Sequence, residues 1–287
     1  MTTTQPQQFK AERLGQWSEP QAFEVTRERI VAYAQATNDD LEPHARGDYA
    51  PPVFAVVPAF PAMAAKMAEV IPSELLMMSV HGEQDFRFHR PIEPDAILVT
   101  RAVAVGFQAR SSGVTVVVKA ETRDTVDEQL VVEQHMTSFV RGAAAGESVG
   151  EAPPPHAFDE ALRGRDPDAA IEQRFDAHQT FRYAEASGDP MPIHLDDDFA
   201  KAMGLPGIII HGLCTMAFTS RAVIGHACPE DPSRLRRLAV RFSKPCRPEQ
   251  AITTRIWDAG GGASAFETTN GEGAVVIKDG LAEIRAA

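Results

Sequence analysis

Cysteine is scarce: Cys214, Cys228 and Cys246 are the only three among 287 residues. An odd number at these wide spacings makes neither a disulfide framework nor a zinc pattern, and a reducing compartment fits. Positive charge is also short. Lysine and arginine number 28 against 40 acidic residues, a net charge of −12, which argues against a nucleic-acid partner because phosphate binding needs clustered cations. No run of 18 apolar residues occurs, so no membrane span is predicted. The N-terminal MTTTQPQQFKAERLG is polar and lacks the apolar core of a secretory signal. These features predict a cytoplasmic globular protein, long enough for one large domain or two ordinary ones.

What is present is a repeat. Residues 26–39 (TRERIVAYAQATND) and 176–189 (DAHQTFRYAEASGD) each open on an N-cap type residue, Thr26 or Asp176. Both end in Tyr-Ala-x-Ala-[Thr/Ser]-x-Asp, from Tyr33 to Asp39 and from Tyr183 to Asp189. Further on, Phe88, Pro91, Pro94, Thr100 and Arg101 match Phe242, Pro245, Pro248, Thr254 and Arg255. Two matches in the same order at nearly equal offsets indicate a duplicated domain.

After each Phe-x-x-Pro-x-x-Pro segment the chain turns to strand character. The predicted strands are 96–105, 113–122 and 129–140, then 251–258, 263–269 and 273–284, with a turn at Asn270-Gly271. Each half therefore reads helix, irregular segment, apolar helix, strands, the order of an α+β unit whose sheet wraps a helix. The small, Pro-rich 142–156 reads as a linker between units at 1–141 and 157–287. One such unit alone leaves an apolar face bare, so the two sheets are expected to pair.

Chemistry concentrates in 181–212, FRYAEASGDPMPIHLDDDFAKAMGLPGIIIHG. Ser187, Gly188, Asp189, Pro190 and Pro192 favour turns and should end a helix, with a second short helix from near Asp196 to Gly204. Beyond His211-Gly212 an apolar helix opens, and the unpaired N–H groups at its start can hold a developing oxyanion. The acid Asp189 and the imidazole His194 lie five residues apart in this stretch.

Tyr183, Ser187-Gly188-Asp189, Pro190, Met191-Pro192, Ile193, His194 and the later His211-Gly212 together resemble the motif of the MaoC-like (R)-specific enoyl-CoA hydratases and dehydratases. One position departs, with Met191 where that family has Asn. The resemblance implies a double hot-dog fold and reversible hydration of a trans-2-enoyl thioester to the (R)-3-hydroxyacyl thioester. Asp189 and His194 are then the catalytic pair that activates water, and the Gly212 N–H binds the thioester oxygen. No metal and no redox cofactor is implied; coenzyme A, or an acyl-carrier arm, belongs to the substrate. A second copy of the chain is a candidate partner.

Other readings stand beside this one. A hot-dog thioesterase would share fold and substrate class, and a non-catalytic acyl-thioester-binding subunit would suit Met191. Pro51 and Pro52 stand in the first half where the second has His211-Gly212, and neither has an N–H, so that half is expected to be non-catalytic. Its small, Met-rich residues 55–70 suit a core or the wall of an acyl channel. Ser220 can reach back toward the pair, although a helical serine is more often inert. Asp196, Asp197 and Asp198 fit the charge of a helix start. Arg234, Arg236, Arg237, Arg241 and Lys244 form a basic cluster, either a solvated face or a contact for coenzyme A phosphates.

Overall fold

Among residues 8–286, which the computed structural model describes, the helices are α1 (Arg27–Ala36), α2 (Glu42–Arg46), α3 (Phe60–Val70), α4 (Glu160–Arg163), α5 (Gln179–Ser187), α6 (Asp197–Ala202) and α7 (Gly212–Ala227). The strands are β1 (Gln21–Glu24), β2 (Ser79–Phe88), β3 (Ile97–Arg110), β4 (Gly113–Asp124), β5 (Leu130–Arg141) and β6 (Val149–Gly150). They continue as β7 (Ala169–Arg174), β8 (Leu235–Phe242), β9 (Ala251–Gly260), β10 (Ala263–Asn270) and β11 (Val275–Ile284). All six predicted strands are there. The other five strands lie outside the sequence expectation: β1 and β6 are short, and buried Gln84 and Asp85 in β2, the alternating charges of β7 and the arginines of β8 mask the usual apolar pattern.

The chain forms two compact units: residues 8–23, 58–89 and 97–155 in the first, and 24–57, 90–96 and 156–286 in the second. In the first, the antiparallel order is β3-β4-β5-β2. Helix α3 contributes Ala62, Met63, Met67 and Val70 to a core shared with Ala102, Val116 and Val118 of the sheet. That face of the Met-rich stretch is packed by protein. Within 142–156, Val149 and Gly150 form β6 against Phe107 and Gly106 of β3, so part of the predicted linker is tied to this sheet.

In the second unit the antiparallel order is β8-β11-β10-β9-β7. Helix α7 lies against it and is buried from Leu213 to Ser220 and again at Ala222, Val223 and Ile224, as expected of a helix apolar on all sides. A threonine pair recurs in both sheets: Thr100 and Thr122 meet at 2.8 Å, and Thr254 and Thr268 at 3.0 Å. Thr219 of α7 bonds the same Thr268 hydroxyl at 3.0 Å and anchors the helix.

The units do not follow the two halves of the sequence. Residues 24–57, which carry α1 and α2, group with the second unit. Helix α1 starts as predicted, with the Thr26 hydroxyl accepting from the Arg29 N–H. Asp176 is not the cap of α5. Arg182 and Asn38 occupy its carboxylate, and His178 holds the cap position without a side-chain bond.

Candidate active site

The turn predicted after Tyr183 forms where Gly188 takes a left-handed conformation (φ 74°) and closes α5 through its N–H to the Ala184 carbonyl. Asp189 follows, half-buried, and its Oδ1 accepts from the Met191 N–H at 3.2 Å, an aspartate turn that aims the carboxylate. Pro192 then starts a single 3-10 turn, Pro192–His194, that carries the imidazole inward. Asp196 caps α6 by accepting from the Phe199 N–H at 2.9 Å. Asp197 pairs with Lys201 and accepts from the Ile208 N–H, so the acidic run serves the helix start.

His194 is buried, and its Nδ1 lies 2.8 Å from the Ile209 carbonyl. A carbonyl only accepts, so Nδ1 carries the hydrogen and Nε2 keeps its lone pair. Burial holds the pKa of His194 below the ordinary histidine value, against the opposing pull of the Ile209 carbonyl and the Asp189 charge. The ring is therefore a neutral base at neutral pH.

The third member is His211, which sequence reasoning had treated only as part of a motif. Its Nε2–H donates to the Asp189 backbone carbonyl at 3.1 Å, and its ring stacks on His194 with centroids 3.7 Å apart. Burial, and then the charge of His194, push its pKa down to about 3. The side-chain donor atoms of Asp189, His194 and His211 lie within 4.8 Å of one another. Two groups at that separation can share one water at about 2.8 Å from each. A single metal ion suits the set less well. The imidazole rings are stacked 3.7 Å apart and inclined by only 24°, so an ion at about 2.0–2.1 Å from a nitrogen of each could not lie near both ring planes.

Gly212 is the first residue of α7. A Cβ there would lie 3.4 Å from the Phe242 ring, so glycine lets the helix begin close against β8. Its N–H is among those that a helix start leaves without an intrahelical partner. Ser220 is buried with no hydrogen-bond partner for its hydroxyl. Met191 is 44% exposed, at the rim rather than in a core. In the basic cluster Arg237 pairs with Glu283 and Arg241 with Asp279, so part of it is neutralised within the unit.

The first-half counterparts are arranged differently. The Ala50 N–H donates to the Ile92 carbonyl as the Ile210 N–H does to Cys246, which sets Pro51-Pro52 opposite His211-Gly212. His44 Nδ1 contacts the Asp39 carboxylate directly at 2.8 Å, both side chains buried, with no gap for a water between them.

Comparison with known proteins adds to this geometry. The MaoC like domain profile matches residues 159–280, and the MFE-2 hydratase 2 N-terminal domain profile matches residues 42–142. The chain is 32% identical to the 3-hydroxyacyl-thioester dehydratase Y of Mycobacterium tuberculosis, over 94% of this chain and 96% of that one. It is 30% identical to a probable enoyl-CoA hydratase 2 of Dictyostelium discoideum, over 72% of this chain and 70% of the relative. The crystal structure of a MaoC-like dehydratase from Phytophthora capsici superposes with a TM-score of 0.84 at 26% identity, covering 96% of this chain and 98% of that one. A Mycobacterium tuberculosis protein described as a double hotdog fold superposes at 0.60 over 94% of each chain; at 13% identity this likeness is of fold alone.

Proposed function

This chain belongs to the MaoC-like dehydratase family, and from that premise we propose how it works as a hydro-lyase on enoyl and 3-hydroxyacyl thioesters. Asp189 and His194 hold one water between them. As the water oxygen bonds to C3 of a trans-2-enoyl thioester, its proton passes to the Asp189–His194 pair. The π electrons move toward the thioester carbonyl, and the Gly212 N–H at the head of α7 stabilises the resulting enolate oxygen. A proton returned to C2 completes the addition, and the reverse sequence dehydrates the (R)-3-hydroxyacyl thioester.

The observation that carries this reading is the fixed tautomer of His194. Its Nδ1–H is tied to the Ile209 carbonyl, which leaves the lone pair on Nε2, and the ring lies with a nitrogen within 4.8 Å of an Asp189 carboxylate oxygen. The reading needs neither a metal nor a redox cofactor, and coenzyme A or an acyl-carrier arm enters with the substrate. It assigns catalysis to the half from 157 to 287 and leaves the half from 1 to 141 non-catalytic; a cytoplasmic location, and a second copy of the chain as a candidate partner, are separate parts of the proposal. The buried thiols Cys214, Cys228 and Cys246 suit a reducing compartment.

Crotonyl-CoA tests the proposal. A hydratase removes the conjugated enoyl absorbance without releasing thiol. Thiol release would identify a thioesterase, and no change with a range of acyl chains would leave a binding protein.

A further inference from the structure

His211 makes contacts that the steps above do not use. Its side chain is buried, its Nε2–H holds the Asp189 carbonyl, its ring stacks on His194, and the Tyr183 ring packs against it at 4.8 Å. Its main chain leads directly into Gly212, so the peptide that presents the oxyanion-facing N–H is its own. Its carbonyl accepts from the Thr215 N–H at 3.0 Å, which fixes that peptide to the first turn of α7. Nδ1, by contrast, is buried with no partner.

Resting on the hydratase reading, we propose that His211 is a positioning residue that locks the acid loop, the base ring and the oxyanion donor into one rigid arrangement. Three parts of the site come from separate segments: the turn after α5, the 3-10 turn of His194 and the head of α7. His211 touches all three. The alternative tautomer would lose the bond to Asp189 and bury an N–H with no acceptor, so Nε2–H is the form retained.

The groups facing the ring are Asp189 from its loop, His194 from the 3-10 turn and Tyr183 from α5. Burial raises the pKa of Tyr183, so its hydroxyl stays protonated. Its low pKa keeps His211 neutral, and the proton taken from water stays on the Asp189–His194 pair for delivery to C2.

Two variants separate the contacts. His211→Phe keeps an aromatic stack on His194 and loses the bond to Asp189. His211→Gln offers an amide N–H near the position of Nε2 without the stack. A displacement of about 1 Å at a reacting centre can cost about 100-fold. The Phe variant should lose about 10- to 100-fold in kcat, with KM within about threefold of the parent. Part of that loss should return in the Gln variant. A Phe variant within about threefold of the parent in kcat, or a Gln variant no better than Phe, overturns the proposal.

Imidazole 15N spectra of the unmodified protein give a readout independent of turnover. His211 should stay neutral and protonated on Nε2 from about pH 5 to 8, a range that brackets the ordinary histidine pKa. Titration within that range, or the Nδ1–H form, would also overturn it. An unmodified protein inactive on every enoyl thioester would sink the functional reading instead, and the spectra would still decide the role of His211.

Discussion

Tyr33 and Tyr183, 150 residues apart, meet hydroxyl to hydroxyl at 3.3 Å in a fully buried contact. They are the matching tyrosines of the repeat, and each ends up as the other's partner between α1 and α5. Gln179 reinforces the contact by donating to the Ala36 carbonyl at 2.6 Å. The duplication is thus used as an internal dimer contact within one unit.

A hydroxyl pair of this kind sets up a non-additive mutant cycle. Tyr33→Phe or Tyr183→Phe alone leaves a buried hydroxyl without its partner, at a cost of about 1–3 kcal/mol. The double Phe variant leaves neither stranded, so its loss should be smaller than the sum of the singles. Urea unfolding of the four proteins measures this, and simple additivity would show that the hydroxyls do not depend on each other.

Much of this was legible because the local signals agree with the fold. Gly188, Asp196 and Gly212 each sit where the turn, cap and helix-start chemistry placed them. The role of His211 was not legible. Its stack on His194 depends on Ile209 and α7 returning past the loop, a tertiary meeting with no sequence period. Nor was the direct Asp39–His44 contact legible, since the same Asp-x4-His spacing gives an open pair in one half and a closed pair in the other. The grouping of 24–57 with the second unit is likewise a product of tertiary packing.

Acid should affect rate and stability differently. His194 is held below its ordinary value of 6.5 by burial, so its base form persists as the pH drops past 6.5. The acid limb of kcat/KM should therefore lie below pH 6.5, and a limb at or above it would contradict the burial argument.

For His211 the unfolded chain takes up a proton near 6.5, whereas the folded chain resists until about 3. The stability it carries is complete above 6.5 and declines as the pH falls from there toward 3. Melting temperatures across that range should show the decline, and His211→Phe should flatten part of it.

Gly212 allows its N–H to be tested apart from its side chain. Proline is well suited to the first position of a helix, where it removes only an N–H that the helix does not use. The extended backbone of His211 (φ −55°, ψ 136°) also suits a residue before proline. Gly212→Pro should therefore fold yet lose about 100- to 1000-fold in kcat, the effect of one missing oxyanion donor. Gly212→Ala keeps the N–H and brings a Cβ to 3.4 Å from Phe242, a contact that ring can relieve. It should retain most activity. Equal losses in both variants would point to steric exclusion of the substrate rather than a lost hydrogen bond.

The two Asp–His pairs make the sharpest contrast. Asp189 and His194 are separate, each held by backbone groups, with room for a water to join them. Asp39 and His44 satisfy each other at 2.8 Å, Asp39 also accepts from the Leu41 N–H at 3.1 Å, and Pro51-Pro52 stand where the second half has His211-Gly212. On the proposed reading the first pair activates water and the second holds its loop. Asp189→Asn and His194→Ala should each lower kcat by about 100- to 10,000-fold, the range lost with a general acid or base. Asp189→Asn should leave the melting temperature nearly unchanged, because an amide oxygen can still accept from the Met191 N–H. His194→Ala should also lower it, because it strands the Ile209 carbonyl and removes the ring stacked on His211. Asp39→Asn and His44→Ala should cost stability alone. Each strands a buried polar partner at a cost of about 1–3 kcal/mol, with turnover largely intact well below the melting temperature. Kinetics on one short enoyl-CoA, read beside thermal melts of all four variants, decide between one site and two. First-half variants as inactive as the second-half ones, while still folded, would require a second working site.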